Sequence, residues 1–276
     1  MVRVISAEGV GSTSLLLALA RAAESRRPDR LFTDPYAAEF AAAAPVVPDL
    51  PMEAGARRTA LADYLAVRTR FFDDSLVEAA NFGCRQVVQL GAGLDTRAFR
   101  LDWPPGTTVY EVDQPAVLEF KEAVLARCGA MPRSGRMVVP ADLTGEWVAA
   151  LLDAGFDPAE RVVWAAEGVL YYLTPEDGDR VMVALGERTA AGSRFVVEHI
   201  TREVVGSATL SGVRSELVRR RAEWRSFVDD PVAWLRRHGW HVRLFTPNEL
   251  LAASGRQPEG EGAEARATGW LAVCER

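Results

Sequence analysis

The chain has 276 residues, of which 49% are hydrophobic and 25% charged, values typical of one large folded domain with a substantial core. Its net charge of −6 argues against a general electrostatic attraction to nucleic acid or to an anionic membrane. The three cysteines lack metal-like spacing, and we find neither a signal-peptide pattern nor an apolar run long enough to span a bilayer. These features predict a cytoplasmic protein and leave the oligomeric state open, a homodimer included.

Residues 1–82 are predicted to form an N-terminal helical cap. The stretches "STSLLLALARAAESR" and "RRTALADYLAVRTRFFDDSLVEAANFG" carry apolar residues at helical spacing. A shorter helix between them is predicted to begin after Asp34 and Pro35, a typical capping pair. The proline-rich stretch 45–55 is predicted to connect this helix to the next.

Residues 83–200 alternate between strand and helix patterns. The short apolar, β-branched runs in "RQVVQL", "TTVYEVD", "RMVVP", "ERVVWAA" and "SRFVVEH" predict buried parallel strands, each followed by a helix or a turn. This alternation predicts a doubly wound α/β sheet. Because the crossovers are right-handed, the carboxyl ends of the parallel strands meet at one edge, where ligands bind.

The last third of the chain departs from simple alternation. Residues 201–235 are predicted to be a helical insertion over the substrate pocket, and residues 236–276 to supply two final strands joined through a polar, glycine-rich loop at 254–267. A mostly parallel sheet with an antiparallel final strand predicts the Rossmann-like fold of class I methyltransferases, in one structural domain overall.

The turn after the first strand contains two closely spaced glycines, Gly91 and Gly93. Glycines at this place let the backbone approach a ligand closely, although such pairs also recur for packing reasons alone. Thr96 stands where a dinucleotide-binding loop has its third glycine, and we interpret Thr96 and Arg97 as the start of a helix.

Carboxylates follow the next three predicted strands. Glu111 and Asp113 end the second strand about 20 residues beyond the glycines, where an acidic group can bind ribose hydroxyls, although a capping role is the alternative. Asp142 and Leu143 follow the third strand, where a carboxylate and an apolar side chain can bind adenine. Glu167 ends an apolar strand and is expected to face a ligand or water.

These residues predict an adenosine-containing ligand that has no pyrophosphate. The third glycine of a dinucleotide site is absent, and so is the GKS/T loop of a nucleoside triphosphate site. S-adenosylmethionine is the cofactor that fits this combination.

The motifs "VVQLGAGLDTRAFRL", "VYEVDQPAVLEFK", "ADL" and "AEGVLYYLTPE" occur in this order, after "STSLLLALARAAESRRPDRLFTDPYAAEF" and "YLAVRTRFFDD". From about residue 12 to residue 180 the chain resembles the leucine carboxyl methyltransferase superfamily. It is most similar to the bacterial S-adenosylmethionine-dependent branch, which includes polyketide carboxyl O-methyltransferases of the tetracenomycin type. The resemblance implies methyl transfer to a carboxyl or hydroxyl oxygen of an acidic or aromatic metabolite, as in antibiotic biosynthesis.

The resemblance also implies roles for single residues. A basic side chain from the helical cap is expected at the cofactor carboxylate: Arg68 is the best match, Arg21 the second, and Arg70 the alternative if the register shifts. The remaining implied contacts are Gly91 and Gly93 behind the methionine part, Asp113 at the ribose, Asp142 and Leu143 at the adenine, Glu167 near the amino group, and Tyr172 near the methyl-transfer centre.

A catalytic base is needed only for some acceptors. A carboxylate is already ionised at neutral pH, whereas a phenol or alcohol would gain from a base. His199, at the end of the fifth predicted strand, is the candidate base and Glu198 its alternative, although a strand-end histidine is more often structural. No cluster has metal-ligand spacing, so no metal is predicted.

Two other functions and two minor features stay open at this point. The protein could methylate a protein carboxyl terminus, or it could bind the cofactor as a non-catalytic regulatory domain. The basic stretch "VRRRAEWR" could attract an acidic partner or form an exposed helix face. Four aromatic residues could stack on a flat substrate or pack in the core: Phe71, Phe72, Trp224 and Phe227.

Overall fold

The computed structural model describes residues 11–44, 56–206, 211–256 and 269–276. Within these ranges the strands are β1 (Gln86–Leu90), β2 (Thr108–Asp113), β3 (Gly135–Pro140), β4 (Val162–Ala166), β5 (Arg194–His199), β6 (His241–Phe245) and β7 (Trp270–Glu275). The helices are α1 (Gly11–Ser25), α2 (Ala37–Ala43), α3 (Ala56–Asn81), α4 (Arg97–Arg100), α5 (Pro115–Arg127), α6 (Trp147–Asp153), α7 (Pro175–Glu187), α8 (Arg202–Gly206), α9 (Ser211–Arg219), α10 (Pro231–Arg237) and α11 (Pro247–Ala253). A short 3-10 turn covers Leu170–Tyr172.

The strands form one sheet in the order β3-β2-β1-β4-β5-β7-β6. Strands β1 to β5 are parallel, whereas β7 is antiparallel to both of its neighbours, β5 and β6. This arrangement confirms the predicted mostly parallel sheet with an antiparallel final strand. The strand order reverses between β1 and β4, so the chain folds outward from these two central strands and leaves a crevice at their carboxyl ends.

Helices cover both faces of the sheet because the central strands are apolar on both sides. Val87 of β1 packs with residues of α1, α2, α3 and α5, and the neighbouring Val88 packs with residues of α6, α7 and α10. Successive side chains of a strand point to opposite faces, so a run of buried residues such as β1 fills two separate cores. The result is a three-layer α/β/α domain.

Several helix starts lie where the sequence predicts them. The Asp34 carboxylate accepts hydrogen bonds from the backbone N–H groups of Tyr36 and Ala37 just before α2. The Thr174 side chain accepts the N–H of Asp177 at the start of α7. Helix α4 is a single four-residue turn that begins at Arg97, as the interpretation of Thr96 and Arg97 requires.

The region after β5 differs from the prediction in detail. Residues 201–235 contain α8, α9 and the start of α10, but α9 ends at Arg219 and the chain then runs without helix or strand to residue 230, with a φ of +53° at Arg221. We call residues 221–228 the strap. Helix α11 was not predicted, although Thr246 and Glu249 form a capping box that is visible in the sequence.

Two predicted connections fall wholly or mostly outside the residues that the structure describes. The proline-rich stretch 45–55 lies outside the described residues, and so does most of the glycine-rich loop 254–267. Among the helices that the structure describes, none combines the length and the apolar character needed to cross a membrane.

Candidate cofactor and acceptor site

A cleft of about 360 Å³ opens at the carboxyl ends of β1, β2, β3 and β4. Helix α1 borders it on one side and the strap on another. The described residues that line it include Thr13, Ser14, Leu17, Arg21, Gln89, Gly91, Gly93, Arg97, Asp113, Gln114, Asp142, Leu143, Thr144, Ala165, Glu167, Val169, Tyr172, Leu173, Arg221, Ala222, Glu223 and Arg225. Its volume and its position at the sheet's switch point are those of a small-molecule site.

The glycine turn forms the floor of the cleft. Gly91 has a φ of +65°, and a Cβ atom there would come within 2.5 Å of Val169 Cγ2. Gly93 has a φ of +51°, and a Cβ atom there would lie 3.3 Å from Ser14 Cβ. Both positions therefore need glycine, for the left-handed backbone and for the close approach of neighbouring elements.

Asp113 is held by the glycine turn itself. Its Oδ2 accepts the backbone N–H of Gly93 at 2.6 Å, and its Oδ1 accepts that of Gln114 at 2.6 Å. Burial raises the pKa of Asp113, while these two hydrogen bonds act in the opposite direction. The carboxylate is fixed at the end of β2, and its remaining lone pairs can accept hydrogen bonds from a ligand.

Asp142 and Leu143 line the cleft just beyond β3. The Asp142 carboxylate accepts the Thr144 N–H at 2.8 Å and the Thr144 hydroxyl at 2.7 Å, and the Gln114 side-chain amide lies 3.4 Å away. Leu143 is half-buried. An anchored carboxylate beside an apolar side chain is suited to the edge and the face of a heterocyclic base.

Glu167 lines the cleft between two arginines. Arg68 Nε donates to Glu167 Oε1 at 3.0 Å, and Arg97 Nη1 lies 2.7 Å from Oε2. Arg97 also lines the cleft, whereas Arg68 is buried behind Glu167 and is not among the lining residues. The two cations hold the Glu167 carboxylate in place.

Arg97 is tied down on its other sides as well. Its Nε donates to Asp73 at 2.6 Å, its Nη1 to Asp95 at 2.5 Å and its Nη2 to the Thr69 carbonyl at 3.3 Å. The guanidinium beside Asp95 lowers the pKa of that carboxyl against the opposing effect of burial. The cluster is buried and joins α3 to the glycine turn.

Glu198 is sealed away from the cleft. Its carboxylate accepts hydrogen bonds from Arg68 Nη1 at 3.1 and 3.2 Å, from the Gly168 N–H at 3.0 Å and from the Tyr64 hydroxyl. It is 1% exposed. These partners leave no accessible lone pair for an acceptor's proton.

The two other cap arginines that the sequence proposes differ in position. Arg21 lines the cleft, with Nε donating to Asp34 at 3.0 Å and Nη2 to the Leu94 carbonyl at 2.7 Å. Arg70 points away, toward Asp74 on the exposed side of α3. The structure thus brings Arg21 to the cleft and leaves Arg70 outside it.

Tyr172 faces the strap across the far end of the cleft. Its chain neighbour Leu173 and the strap residues Ala222, Glu223 and Arg225 also line the cleft. The Arg225 N–H donates to the Tyr171 carbonyl at 2.7 Å, which fastens the strap to the 3-10 turn. Burial raises the pKa of Tyr172, so its hydroxyl remains protonated at neutral pH.

His199 lies outside the cleft, in an aromatic cluster. Its ring stacks on Trp270 with centroids 5.9 Å apart and meets Tyr171 and Trp234 edge-on. Nδ1 accepts the Ile200 N–H at 2.9 Å, and Nε2 lies 3.4 Å from the Ser226 hydroxyl. Burial lowers the pKa of His199 to about 4. This position favours the structural role of His199 over the role of a base.

The four aromatic candidates are not among the lining residues either. Phe71 and Phe72 belong to α3 and are buried in the core, and Trp224 and Phe227 pack against Tyr171 and its neighbours. The described residues contain no cluster of histidine, cysteine or acidic side chains that could hold a metal ion. Sequence reasoning missed several cleft residues, among them Ser14, Gln89 and Arg97. Gln89 had a visible signal, a polar residue inside an apolar strand.

The fold is similar to that of solved structures that cover nearly the whole chain. A DUF574 family protein from Streptomyces avermitilis matches with a TM-score of 0.62 at 18% identity, covering 94% of this chain and 96% of that one. A "putative methyltransferase" from Thermobifida fusca matches with a TM-score of 0.58 at 17% identity, covering 98% and 95%. The fold is that of the class I S-adenosylmethionine-dependent methyltransferases.

Sequence comparison narrows the class to a family. The leucine carboxyl methyltransferase model matches residues 14–186. Relatives from Parafrankia (48% identical, 97% of this chain and 87% of the relative) and Saccharopolyspora erythraea (41% identical, 97% and 96%) are named "Putative S-adenosyl-L-methionine-dependent methyltransferase". The chain belongs to the leucine carboxyl methyltransferase family. It is an S-adenosylmethionine-dependent methyltransferase, as its motifs predict.

Proposed function

We propose that the protein methylates a carboxylate oxygen of a small acidic or aromatic molecule, with a hydroxyl oxygen as the second candidate acceptor. The observation that carries the proposal is the state of three possible bases near the cleft, Glu167, Glu198 and His199, while the strap carboxylate Glu223 is tested separately. Both oxygens of Glu167 face arginines, Glu198 is sealed, and His199 lies outside the cleft. Such a site suits an acceptor that is already ionised at neutral pH.

The cleft residues fit the cofactor that the family uses. Asp113 would hold the ribose, Asp142 and Leu143 the adenine, and the glycine turn the methionine part, with Glu167 and Arg21 at its charged end. When bound, S-adenosylmethionine supplies an electrophilic methyl group carried by a sulfonium. The anchoring of Asp113 and Asp142 by backbone N–H groups supports this assignment, because both carboxylates are fixed and keep lone pairs for a ligand.

The residues at the far end of the cleft would position the acceptor. The protonated Tyr172 hydroxyl can donate a hydrogen bond to an acceptor oxygen, which helps to align that oxygen. Arg225 on the strap supplies a positive charge for an anionic acceptor. Because the strap covers this end, it would also limit the access of water to the reacting groups.

The test uses cofactor labelled in the methyl group. The protein is incubated with labelled S-adenosylmethionine and a small-molecule extract of a bacterium that carries the gene, and the product is then treated with alkali. A methyl ester releases labelled methanol, whereas a methyl ether keeps the label. We expect alkali-labile label in the small-molecule fraction.

Asp113→Ala is the inactive control, with Asp102→Ala as the matched variant because Asp102 is exposed and pairs with Arg133 on the surface. Alkali-stable label would show that the acceptor is a hydroxyl group and not a carboxylate. Label that enters protein when lysate is supplied would favour the protein carboxyl methyltransferase alternative. Cofactor binding without any transfer would favour the regulatory domain.

The resemblance to tetracenomycin-type enzymes extends the proposal to polyketide-like acids. This extension depends on the resemblance alone, and the labelled product of the same experiment identifies the acceptor by mass.

A further inference from the structure

Gln89 is a buried polar residue at the inner end of the cleft. Gln89 is 4% exposed, and its Oε1 atom has no hydrogen-bond donor among the described residues. The same side chain lines the cleft. A buried acceptor oxygen without a donor is destabilising, so its presence at a ligand site points to a donor from the ligand.

The neighbours of Gln89 define which part of a ligand would reach it. Gln89 pairs in register with Ala165 of β4, and Glu167 lies two residues further on the same face. All three line the cleft together with Arg97 and with Ser14 of α1. Ala165 is small and leaves space above β4, and the surrounding groups are charged or polar.

This inner end of the cleft is separate from the end that suits adenosine. Asp113 lies at the end of β2 and Asp142 after β3, on the other side of β1 from β4. A ligand with its ribose at Asp113 and its base at Asp142 would therefore place its remaining, amino-acid end toward β4. That end carries an ammonium and a carboxylate, for which a carboxamide can act as acceptor or as donor.

We propose that the Gln89 carboxamide hydrogen-bonds the amino-acid end of the cofactor. This inference rests on the proposed cofactor site and adds a recognition residue to it. The two arginines beside Glu167 already occupy its oxygens, whereas the Gln89 Oε1 atom is an acceptor that no described residue uses.

The test compares two ligands that differ only at that end. S-adenosylhomocysteine carries the amino acid, whereas 5′-methylthioadenosine keeps the adenosine and the thioether but lacks it. Titration calorimetry on Gln89→Leu should show an affinity for S-adenosylhomocysteine that is lower by about tenfold or more, because a hydrogen bond to a charged group is lost. The affinity for methylthioadenosine should stay within about twofold.

Gln86→Leu is the matched control, since Gln86 lies on the same strand at its opposite end. Its side chain bonds the backbone of Asp157 through both amide atoms at 2.8 Å. Gln86→Leu should lower the melting temperature and leave both affinities unchanged, whereas Gln89→Leu should not lower the melting temperature of the apo protein. Gln89→Met is the second variant if leucine does not fold, since it keeps the unbranched shape.

The outcomes separate the two proposals. If Gln89→Leu weakens the binding of both ligands equally, Gln89 only maintains the shape of the cleft. If the affinity for S-adenosylhomocysteine does not change, Gln89 does not contact the ligand. Either result overturns the inference. If the wild-type protein binds neither ligand, the cofactor site itself is wrong and the inference fails with it.

Discussion

Arg68 of the helical cap holds Glu198 of the central sheet through its Nη1 atom, which lies 3.2 and 3.1 Å from the two carboxylate oxygens. The pair is buried, and the Nε atom of the same guanidinium holds Glu167. Arg68 therefore connects α3 to the ends of both β4 and β5. It acts on the cleft through Glu167, and this makes it a positioning residue.

Replacing Arg68 is expected to reduce stability strongly. Arg68→Leu leaves Glu198 buried without its cation, which typically costs about 3–5 kcal/mol in the free energy of unfolding. Arg70→Leu is the matched control on the same helix, and its exposed pair with Asp74 should contribute about 1 kcal/mol or less. Urea denaturation measures both. A stable Arg68→Leu protein that has lost only S-adenosylhomocysteine binding would instead make Arg68 a direct cofactor ligand.

The glycine turn predicts a difference between two glycines that both have positive φ. Gly91→Ala meets Val169 at 2.5 Å, whereas Gly106→Ala, at φ +80°, meets nothing within 4 Å. Both variants bear the backbone strain, about 1–2 kcal/mol, but the clash should cost Gly91→Ala a further 1–3 kcal/mol or so. Denaturation curves and S-adenosylhomocysteine titrations check this. If the two variants lose the same amount of stability, the turn accommodates the added methyl group at residue 91 without a further energetic cost.

His199 should make stability depend on pH. Its pKa in the folded protein is about 4, below its ordinary value of 6.5, so the unfolded chain binds a proton in this window that the folded chain does not. Stability should therefore fall as the pH decreases from about 6.5 to about 4, by at most about 3 kcal/mol. His199→Gln should flatten this part of the curve of melting temperature against pH. A variant with the wild-type slope would assign the pH dependence to other groups.

Glu223 tests whether the acceptor needs a base. It is a carboxylate of the strap that lines the cleft on the side of Tyr172. With a carboxylate acceptor, Glu223→Gln should keep kcat within about threefold, because no proton has to be removed, whereas loss of a general base typically costs 10² or more. Steady-state rates with the acceptor found by the labelling experiment measure the effect, and the exposed Glu160→Gln is the control. A large loss confined to Glu223→Gln would favour a hydroxyl acceptor.

The sequence predicts the sheet well because its signals are local. The buried run around Val87 and Val88 stops at Gly91, and such runs at regular spacing predict the strands and, by general rules of connection, a doubly wound sheet. The same rules predict that Asp113, Asp142 and Glu167 lie at one edge of the sheet. In the structure all three line one cleft.

Contacts between distant segments could not be predicted in this way. His199 ends a strand at the ligand edge, but Trp234 and Trp270, from later parts of the chain, enclose it. Arg68 matches a motif, but it lies behind the cleft, where it pairs with Glu198. No sequence pattern indicates that Glu198 has a partner 130 residues earlier in the chain. Such placements depend on tertiary packing, which a motif does not encode.

The antiparallel strand β7 has a consequence for the order of assembly during synthesis. Strand β6 emerges from the ribosome before β7, yet β6 reaches the sheet only by pairing with β7, which lies between it and β5. Until β7 arrives, the nascent chain exposes one unpaired edge on β5 and two on β6. Unpaired strand edges are sites of aggregation, so the interval between these two strands is the period in which the growing chain most needs a chaperone.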